Sequence, residues 1–382
     1  MLTLDKVYRA HHLIKSVARY TDMIESNGLT DDCDFRLKAE NLQLTGSFKL
    51  RGAFFKIASL PQDDREIIAC SAGNHSQGVS LAARKLNRKA VIFMPSIAPI
   101  SKVEATRKLG AEVHLVDGVY DDAYLAADEY CKKTGGIFVH PFDDEDVIAG
   151  QGTIALEILE QFQDVDTVLV PVGGGGLCSG VAFTLKQLKP NVKVYGVQAD
   201  GASGMCKAFT EKQSVTLDKV STFADGIAVK RPGDLTRELC CKYVDGMLTV
   251  SDDEIASAIL TLMEKQKLVA EGAGAVGVAA VLAKKLELSG KKVCAVVSGG
   301  NIDVNILSRV INRGLLSSGR VAELKIAMLD KPGQLREVSA IIADCGANVA
   351  DGQVSLRMKH DTQHFQAHWI VQRPGNPPRY WH

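Results

Sequence analysis

Short apolar strands alternate with amphipathic helical segments along most of this chain, and this alternation is the feature that most limits its fold. Runs rich in Val, Ile and Ala predict strands at 67–70, 90–94, 112–116, 167–172, 193–198 and 292–297. Helical periodicity predicts helices at 77–86, 100–109, 120–134, 153–161, 177–188 and 252–265. Such alternation is typical of open, mostly parallel sheets with helices on both faces. We therefore predict an α/β fold.

Composition excludes several classes of protein. The 382 residues include 45 Lys+Arg and 45 Asp+Glu, so no basic excess indicates a nucleic-acid partner. The longest weakly polar run, 272–283, is shorter than the roughly 20 residues that a membrane span needs. Asp5 lies where a signal peptide would need an apolar core. The nine cysteines form no CxxC pair, so we expect reduced thiols, a cytoplasmic protein and no metal site.

A change in pattern predicts a domain boundary at residue 320. The segment RGLLSSGR, residues 313–320, is small and polar, and it would end a main unit of residues 1–320. The pattern in 321–382 is strand, helix and hairpin, which predicts a small α+β unit. No second helix or last strand precedes the proline-rich RPGNPPRYWH, so this unit is expected to be incomplete.

A second, softer boundary is expected near Gly150, inside the main unit. The polar segment 141–152, rich in Asp and Gly, predicts a loop. It would separate a smaller subdomain, about 50–150, from a larger one made of 1–49 and 151–320.

Two segments carry side chains with reactive or anion-binding potential. TGSFKLRGA, residues 45–53, places Lys49 in an apolar and aromatic neighbourhood, where a lysine has a lowered pKa and becomes a usable nucleophile or base. A solvated lysine at a helix start is the alternative. SAGNHSQG, residues 71–78, precedes a helix whose N–H groups favour a carboxylate, and Asn74 offers a donor and an acceptor. A plain strand-to-helix turn is the alternative here, with His75 structural.

Two further loops follow buried strands. Four consecutive glycines, Gly173 to Gly176, cost backbone entropy, which makes sense if bare N–H groups wrap around an anion. The loop matches neither the dinucleotide fingerprint nor the Walker motif. SGGN, residues 298–301, places the hydroxyl of Ser298 at the end of a parallel strand, where open α/β sheets bind ligands. A flexible turn is the alternative for both loops. Pyridoxal phosphate needs all four segments at once: an amine, a phosphate cup, a partner for its ring hydroxyl and one for its ring nitrogen.

These four motifs, in this order and spacing, resemble those of the serine/threonine dehydratases. That family belongs to the fold-type II, tryptophan-synthase-β-like group of pyridoxal-phosphate enzymes. The resemblance covers about residues 1–320 and implies two open twisted sheet domains. The tail, residues 321–382, resembles an ACT-type amino-acid-sensing domain, best in LDKPGQL.

The resemblance also implies a role for each matching residue. Lys49 would hold the cofactor as a Schiff base and would remove the α-proton of the substrate. Phe48 would lie against the cofactor ring, Asn74 would bond the ring hydroxyl, and Ser298 would face the ring nitrogen. The residues expected at the phosphate are Gly173, Gly174, Gly175, Gly176 and Leu177. The residues expected at the substrate carboxylate are Ser71, Ala72, Gly73, Asn74 and His75.

The activity implied by the family is ammonia release from L-threonine, giving 2-oxobutanoate, with L-serine to pyruvate as a secondary reaction. A serine-specific dehydratase and a serine racemase stay open. Eukaryotic serine racemases use a serine as the second acid where this chain has Ala72, which cannot donate a proton. A biosynthetic and a catabolic role both stay open.

Two function classes outside the family are disfavoured. A dinucleotide-dependent oxidoreductase would need an acidic residue in the strand KVYGVQ, which has none. A non-catalytic amino-acid sensor would have no reason to retain Lys49.

The family also implies a homodimer or homotetramer, and the tail implies an amino-acid effector at 329–335. A family cation site would fall at Asp225, but we do not expect one.

Overall fold

The computed structural model describes residues 1–26, 28–329, 331–359 and 362–372. It divides into two compact units, Met1–Asp303 and Val304–His382. This division precedes a helix at Val304–Ser317, and the sequence boundary at residue 320 follows the same helix. The domain boundary therefore stays a prediction.

The first unit is an α/β structure. Its helices are α1 (Leu4–Ile14), α2 (Lys49–Ala58), α3 (Asn74–Lys85), α4 (Ile100–Lys108), α5 (Tyr120–Thr134), α6 (Glu145–Gln161), α7 (Gly176–Leu188), α8 (Gly204–Glu211), α9 (Asp234–Tyr243), α10 (Asp252–Thr261) and α11 (Gly272–Leu282). Its strands are β1 (Met23–Glu25), β2 (Asp34–Lys38), β3 (Ile67–Cys70), β4 (Ala90–Pro95), β5 (Glu112–Val116), β6 (Ile137–Phe138), β7 (Thr167–Pro171), β8 (Lys193–Ala199), β9 (Gly246–Val250) and β10 (Lys292–Val296).

These strands form two separate sheets. The smaller sheet has the order β5-β4-β3-β6 and is parallel throughout. The larger has the order β1-β2-β10-β7-β8-β9, in which only β1 runs antiparallel to its neighbour. The predicted α/β class with two mostly parallel sheets is confirmed. Because β3, β4, β7 and β10 are almost wholly buried, their sequences read as continuous apolar runs.

The predicted loop at 141–152 is wrong, because α6 begins at Glu145. The carboxylate of Asp144 accepts hydrogen bonds from the N–H groups of Asp146 (2.9 Å) and Val147 (3.1 Å). The acidic residues that suggested a loop are therefore those that favour a helix N-terminus. Gly150 lies within α6, at a position where a Cβ would be 2.6 Å from the Cα of Gly52. The absence of a side chain therefore allows α6 to pack closely against α2.

The second unit has the element order that the sequence pattern predicts. After α12 (Val304–Ser317) come β11 (Val321–Leu329), α13 (Gln334–Asp344), β12 (Asn348–Lys359) and β13 (Thr362–Gln372). The strands form an antiparallel sheet of order β11-β13-β12. The resemblance to an ACT-type domain stays a prediction. The proline-rich end, residues 373–382, on which the predicted incompleteness depends, lies outside the described residues.

Within the described ranges, no helix combines the length and the apolar character that crossing a bilayer requires.

Candidate active site

Lys49 is the first residue of α2, and its amine is held inside the first unit. Its Nζ donates a hydrogen bond to the carbonyl oxygen of Pro141 at 2.7 Å and lies 5.4 Å from the ring centre of Phe48. Burial lowers the pKa of Lys49 to about 8, against the opposing charge of Glu271. An appreciable fraction of the amine is therefore neutral near neutral pH, as a nucleophile requires.

Arg51, two residues after Lys49, anchors this end of α2. Its guanidinium donates to Glu40 at 2.8 and 2.7 Å and to Glu157 at 2.6 and 2.9 Å. Lys38 pairs with Glu157 at 2.7 Å, so two cations and two carboxylates are buried together. Burial of Glu40 favours its neutral form, but Arg51 overcomes this effect and holds the pKa of Glu40 below its usual value. The sequence motif SFKLRGA therefore contains one candidate reactive residue and one anchor.

The loop before α3 is organised by short hydrogen bonds. The hydroxyl of Ser71 accepts from the N–H of Gly73 at 3.1 Å, and α3 then begins at Asn74. The Nε2 of His75 lies 2.8 Å from the carbonyl oxygen of Val139; a carbonyl can only accept, so Nε2 carries the proton. Burial, with the charge of Lys49, lowers the pKa of His75 to about 3, which makes it a neutral structural residue. The unpaired N–H groups of the first turn of α3 are what the loop offers to an anion.

The four-glycine loop is closely covered by other residues. A Cβ at Gly174 would lie 2.4 Å from the ring of Phe142, and one at Gly176 would lie 2.9 Å from the Cβ of Phe142. Gly175 has a φ of +102°, which side-chain-bearing residues rarely adopt. In the described part of the chain, the backbone N–H groups of Gly173 to Gly176 have no acceptor. The loop is therefore a cradle of bare donors at the N-terminus of α7, which favours a bound anion.

Hydrogen bonds from α9 and Asp143 stabilise the four-glycine loop. The hydroxyl of Thr236, in the first turn of α9, donates to the carbonyl oxygen of Gly174 at 2.6 Å. The carboxylate of Asp143 accepts from the N–H groups of Asp234 (3.2 Å) and Thr236 (3.0 Å). The segment 139–143 thus contacts Lys49, the cradle and α9. Sequence reasoning missed it, although its letters VHPFD directly follow a short strand.

Ser298 lies against the residues that directly precede α2. Ser298 is 2 % exposed; its hydroxyl lies 3.4 Å from the carbonyl oxygen of Ala273, and its own carbonyl oxygen accepts from the N–H of Phe48 at 3.1 Å. The hydroxyl of Ser47 is buried and has no hydrogen-bond partner among the described residues. This hydroxyl, two residues before Lys49, is therefore able to bond to a polar ligand or to water.

Glu271 is a further residue of this site that the sequence analysis missed. It is 4 % exposed, and its Oε1 accepts a hydrogen bond from Nδ2 of Asn74 at 2.7 Å. Burial, together with the negative charge of Asp225, raises the pKa of Glu271 to about 7. No local motif could identify it, because it precedes an Ala- and Gly-rich helix 197 residues after Asn74.

No metal site is apparent from the side chains. Among the described residues, no group of three or more His, Cys, Asp or Glu side chains could hold a metal ion. Asp225 instead forms an ion pair with Lys102 at 2.8 Å.

These residues suit one kind of group: an aldehyde that reacts with an amine and carries a phosphate. The glycine cradle and the lysine of lowered pKa together fit the class of a pyridoxal-phosphate enzyme on two mostly parallel sheets. The family model described as "Pyridoxal-phosphate dependent enzyme" matches residues 14–299. The chain therefore belongs to this family, and the predicted cofactor is pyridoxal phosphate (PLP).

Three individual proteins show what this chain is similar to. The L-threonine ammonia-lyase of Thermotoga maritima is 52 % identical over 353 residues, which are 91 % of this chain and 88 % of that protein. The structure of processed threonine deaminase isoform 2 from Solanum lycopersicum has a TM-score of 0.78 and 38 % identity, covering 82 % of this chain and 89 % of that one. Maize serine racemase has a TM-score of 0.77 and 31 % identity, covering 82 % of this chain and 98 % of that one.

Proposed function

We propose that this chain is a PLP-dependent L-threonine ammonia-lyase. It converts L-threonine to 2-oxobutanoate and ammonia, and L-serine to pyruvate as a secondary reaction. The observation that carries the proposal is the amine of Lys49: burial lowers its pKa to about 8, and it bonds to Pro141, whose neighbour Phe142 lies against the four-glycine loop. The 52 % identity to an L-threonine ammonia-lyase supports the choice of substrate.

Each residue of the site has a role in this proposal. Lys49 holds the cofactor, Phe48 packs against its ring, Asn74 bonds its ring hydroxyl and Ser298 meets its ring nitrogen. The backbone N–H groups of Gly173 to Gly176, with that of Leu177, bind the phosphate, which the partial positive charge of the α7 N-terminus favours. The first turn of α3 and the loop before it, Ser71 to His75, bind the substrate carboxylate in the same way.

When bound, PLP withdraws electrons from an attached amino acid, so that its α-hydrogen becomes acidic and its β-hydroxyl can leave. Residues of the protein carry out the proton transfer and orient the reacting groups. The neutral amine of Lys49 accepts the α-proton, since its lowered pKa is close to the working pH. The carbonyl oxygen of Pro141, 2.7 Å from Nζ, orients that amine. The hydroxyl of Ser298 is uncharged and leaves the ring nitrogen less basic than a carboxylate would, which favours elimination over transamination.

A serine racemase is the second candidate, because the fold is as similar to maize serine racemase as to threonine deaminase. Racemisation needs an acid on each side of the α-carbon. The loop before α3 carries Ala72 at the position where the eukaryotic racemases have a serine, and a methyl group cannot donate a proton. This difference supports the lyase over the racemase.

Two measurements test the proposal. The purified chain should show an absorption band of PLP bound to a lysine, and Lys49→Ala should abolish it. Lys56→Ala is a matched control, because Lys56 lies on the same helix but pairs with Asp144 and Asp146. Steady-state production of 2-oxo acid should be faster with L-threonine than with L-serine. An unchanged band in Lys49→Ala, or conversion of L-serine to D-serine without 2-oxo acid, would overturn the proposal.

Three broader features belong to the proposal as well. The nine free thiols support a reducing, cytoplasmic location. The resemblance to the dehydratases supports a homodimer or homotetramer. An ACT-type tail would bind an amino-acid effector in the loop 329–335, which includes one residue, Asp330, outside the described ranges. Sedimentation of the purified chain, and threonine turnover with added free amino acids, would test the last two.

A further inference from the structure

A chain of hydrogen bonds fixes which way the amide of Asn74 points. Nδ2 of Asn301 donates to the carbonyl oxygen of Thr45 at 2.7 Å and to Oδ1 of Asn74 at 2.8 Å. A backbone carbonyl can only accept, so the Asn301 amide cannot be reversed, and Asn74 must present its oxygen to Asn301. Nδ2 of Asn74 is then directed to Glu271, 2.7 Å away.

The two end residues of this hydrogen-bonded series, Asn301 and Glu271, lie close to the backbone of glycines. A Cβ at Gly46 would lie 2.3 Å from Oδ1 of Asn301, and a Cβ at Gly299 would lie 2.4 Å from Oε1 of Glu271. The N–H of Glu271 also donates to the carbonyl oxygen of Gly299 at 3.0 Å. Because Gly46 and Gly299 have no side chains, Asn301 and Glu271 fit closely against the backbone there, and the hydrogen bonds at both ends favour one orientation of the Asn74 amide.

A buried carboxyl group at this place needs an explanation. Burial of a carboxylate opposes ionisation, and Glu271 is 4 % exposed and accepts its side-chain hydrogen bond from Asn74. An apolar side chain would avoid this cost. A carboxyl group here accepts the hydrogen bond from Asn74, which an apolar side chain could not do, and its charge also acts on Lys49.

We propose that Glu271 is a positioning residue for the cofactor: by accepting one hydrogen of the Asn74 amide, it holds the other for the ring oxygen of PLP. This inference rests on the role of Asn74 in the proposed function. An amide nitrogen carries two hydrogens, and Glu271 takes one. Without Glu271, Asn74 would be restrained at Oδ1 alone, and its amide could rotate away from the ring.

Affinity for PLP, measured without reference to turnover, tests this role. Full-length protein stripped of PLP is titrated with PLP as wild type, as Glu271→Ala, as Asn74→Ala and as the double variant. Asn74→Ala removes the hydrogen bond to the ring oxygen of PLP, and Glu271→Ala leaves its donor unpositioned. Each single variant should therefore lose about tenfold in affinity for PLP. The double variant should be no weaker than Asn74→Ala, because Glu271 acts through Asn74.

Rescue separates positioning from a general structural effect. Glu271→Gln keeps an acceptor oxygen at the same reach, so its PLP affinity should stay within about threefold of wild type. If Glu271→Ala does not fold, Glu271→Asp replaces it, since the shorter side chain draws the carboxyl group away from Asn74. Losses that multiply in the double variant, or a Glu271→Gln loss as large as that of Glu271→Ala, would overturn the proposal. A wild type that binds no PLP would instead refute the proposed function itself.

Discussion

Replacement of Arg51 by methionine should destabilise the first unit by an amount set by the buried charges around it. Arg51 is 1 % exposed and contacts Glu40 and Glu157, which are 0 % and 3 % exposed. The variant leaves two buried carboxylates with Lys38 as the remaining cation, so the cluster changes from neutral to a net charge of −1. Removing one partner of a buried ion pair costs about 3–5 kcal/mol, because the other charge stays buried.

Urea unfolding of the PLP-free protein, followed by circular dichroism, measures this cost without a contribution from bound cofactor. With a slope of about 3 kcal/mol per molar urea, the midpoint should fall by about 1–1.7 M. Arg65→Met is the matched control, because Arg65 is exposed and its pair with Asp63 lies at the surface. The control should leave the midpoint unchanged.

The pH dependence distinguishes lost charge from lost packing. In the wild type, Arg51 lowers the pKa of Glu40, so this pair contributes stability above the unfolded value of 4.5 that is lost as the pH falls through the folded pKa. In Arg51→Met, burial of Glu40 is opposed by Lys38 and Thr21 alone, and its pKa should rise. The stability gap between the two proteins should therefore be widest at neutral pH and narrow on acidification. A constant gap, or a midpoint shift no larger than that of Arg65→Met, would refute this reasoning.

Three further outcomes follow from the site. Gly174→Ala places a methyl group against the ring of Phe142, and it should weaken PLP binding at least tenfold; titration of PLP into the variant measures this. The pKa of about 8 for Lys49 means that PLP attachment to the apo protein should quicken about tenfold per pH unit below 8 and level off above it, as stopped-flow absorbance can follow; a rise continuing to pH 10 would contradict it. Ser298→Asp gives the ring nitrogen an ionic partner, so transamination, assayed as loss of the band in repeated turnover, should increase; an unchanged product profile would contradict the role of Ser298.

The sequence by itself determined the elements whose signal is local. The buried strands β3, β4 and β7 are close to the predicted bounds because apolar β-branched runs of that length have few other uses. Short strands such as β1 and β6, and the polar β2, were not predicted, since neighbouring strands stabilise them rather than their own composition. The motifs around Lys49, Asn74, the glycine loop and Ser298 also identified the family, which the family match confirms.

What only the tertiary structure decided is the set of partners that act on those motifs from far along the chain. Glu271 on Asn74, Pro141 on Lys49, and Glu157 on Arg51 join residues separated by 197, 92 and 106 positions. No local pattern encodes such pairs, because hydrogen bonds and ion pairs in a buried site depend on which elements the fold brings together. The loss of water around these groups, which lowers the pKa of Lys49 and raises that of Glu271, exists only once the chain is packed.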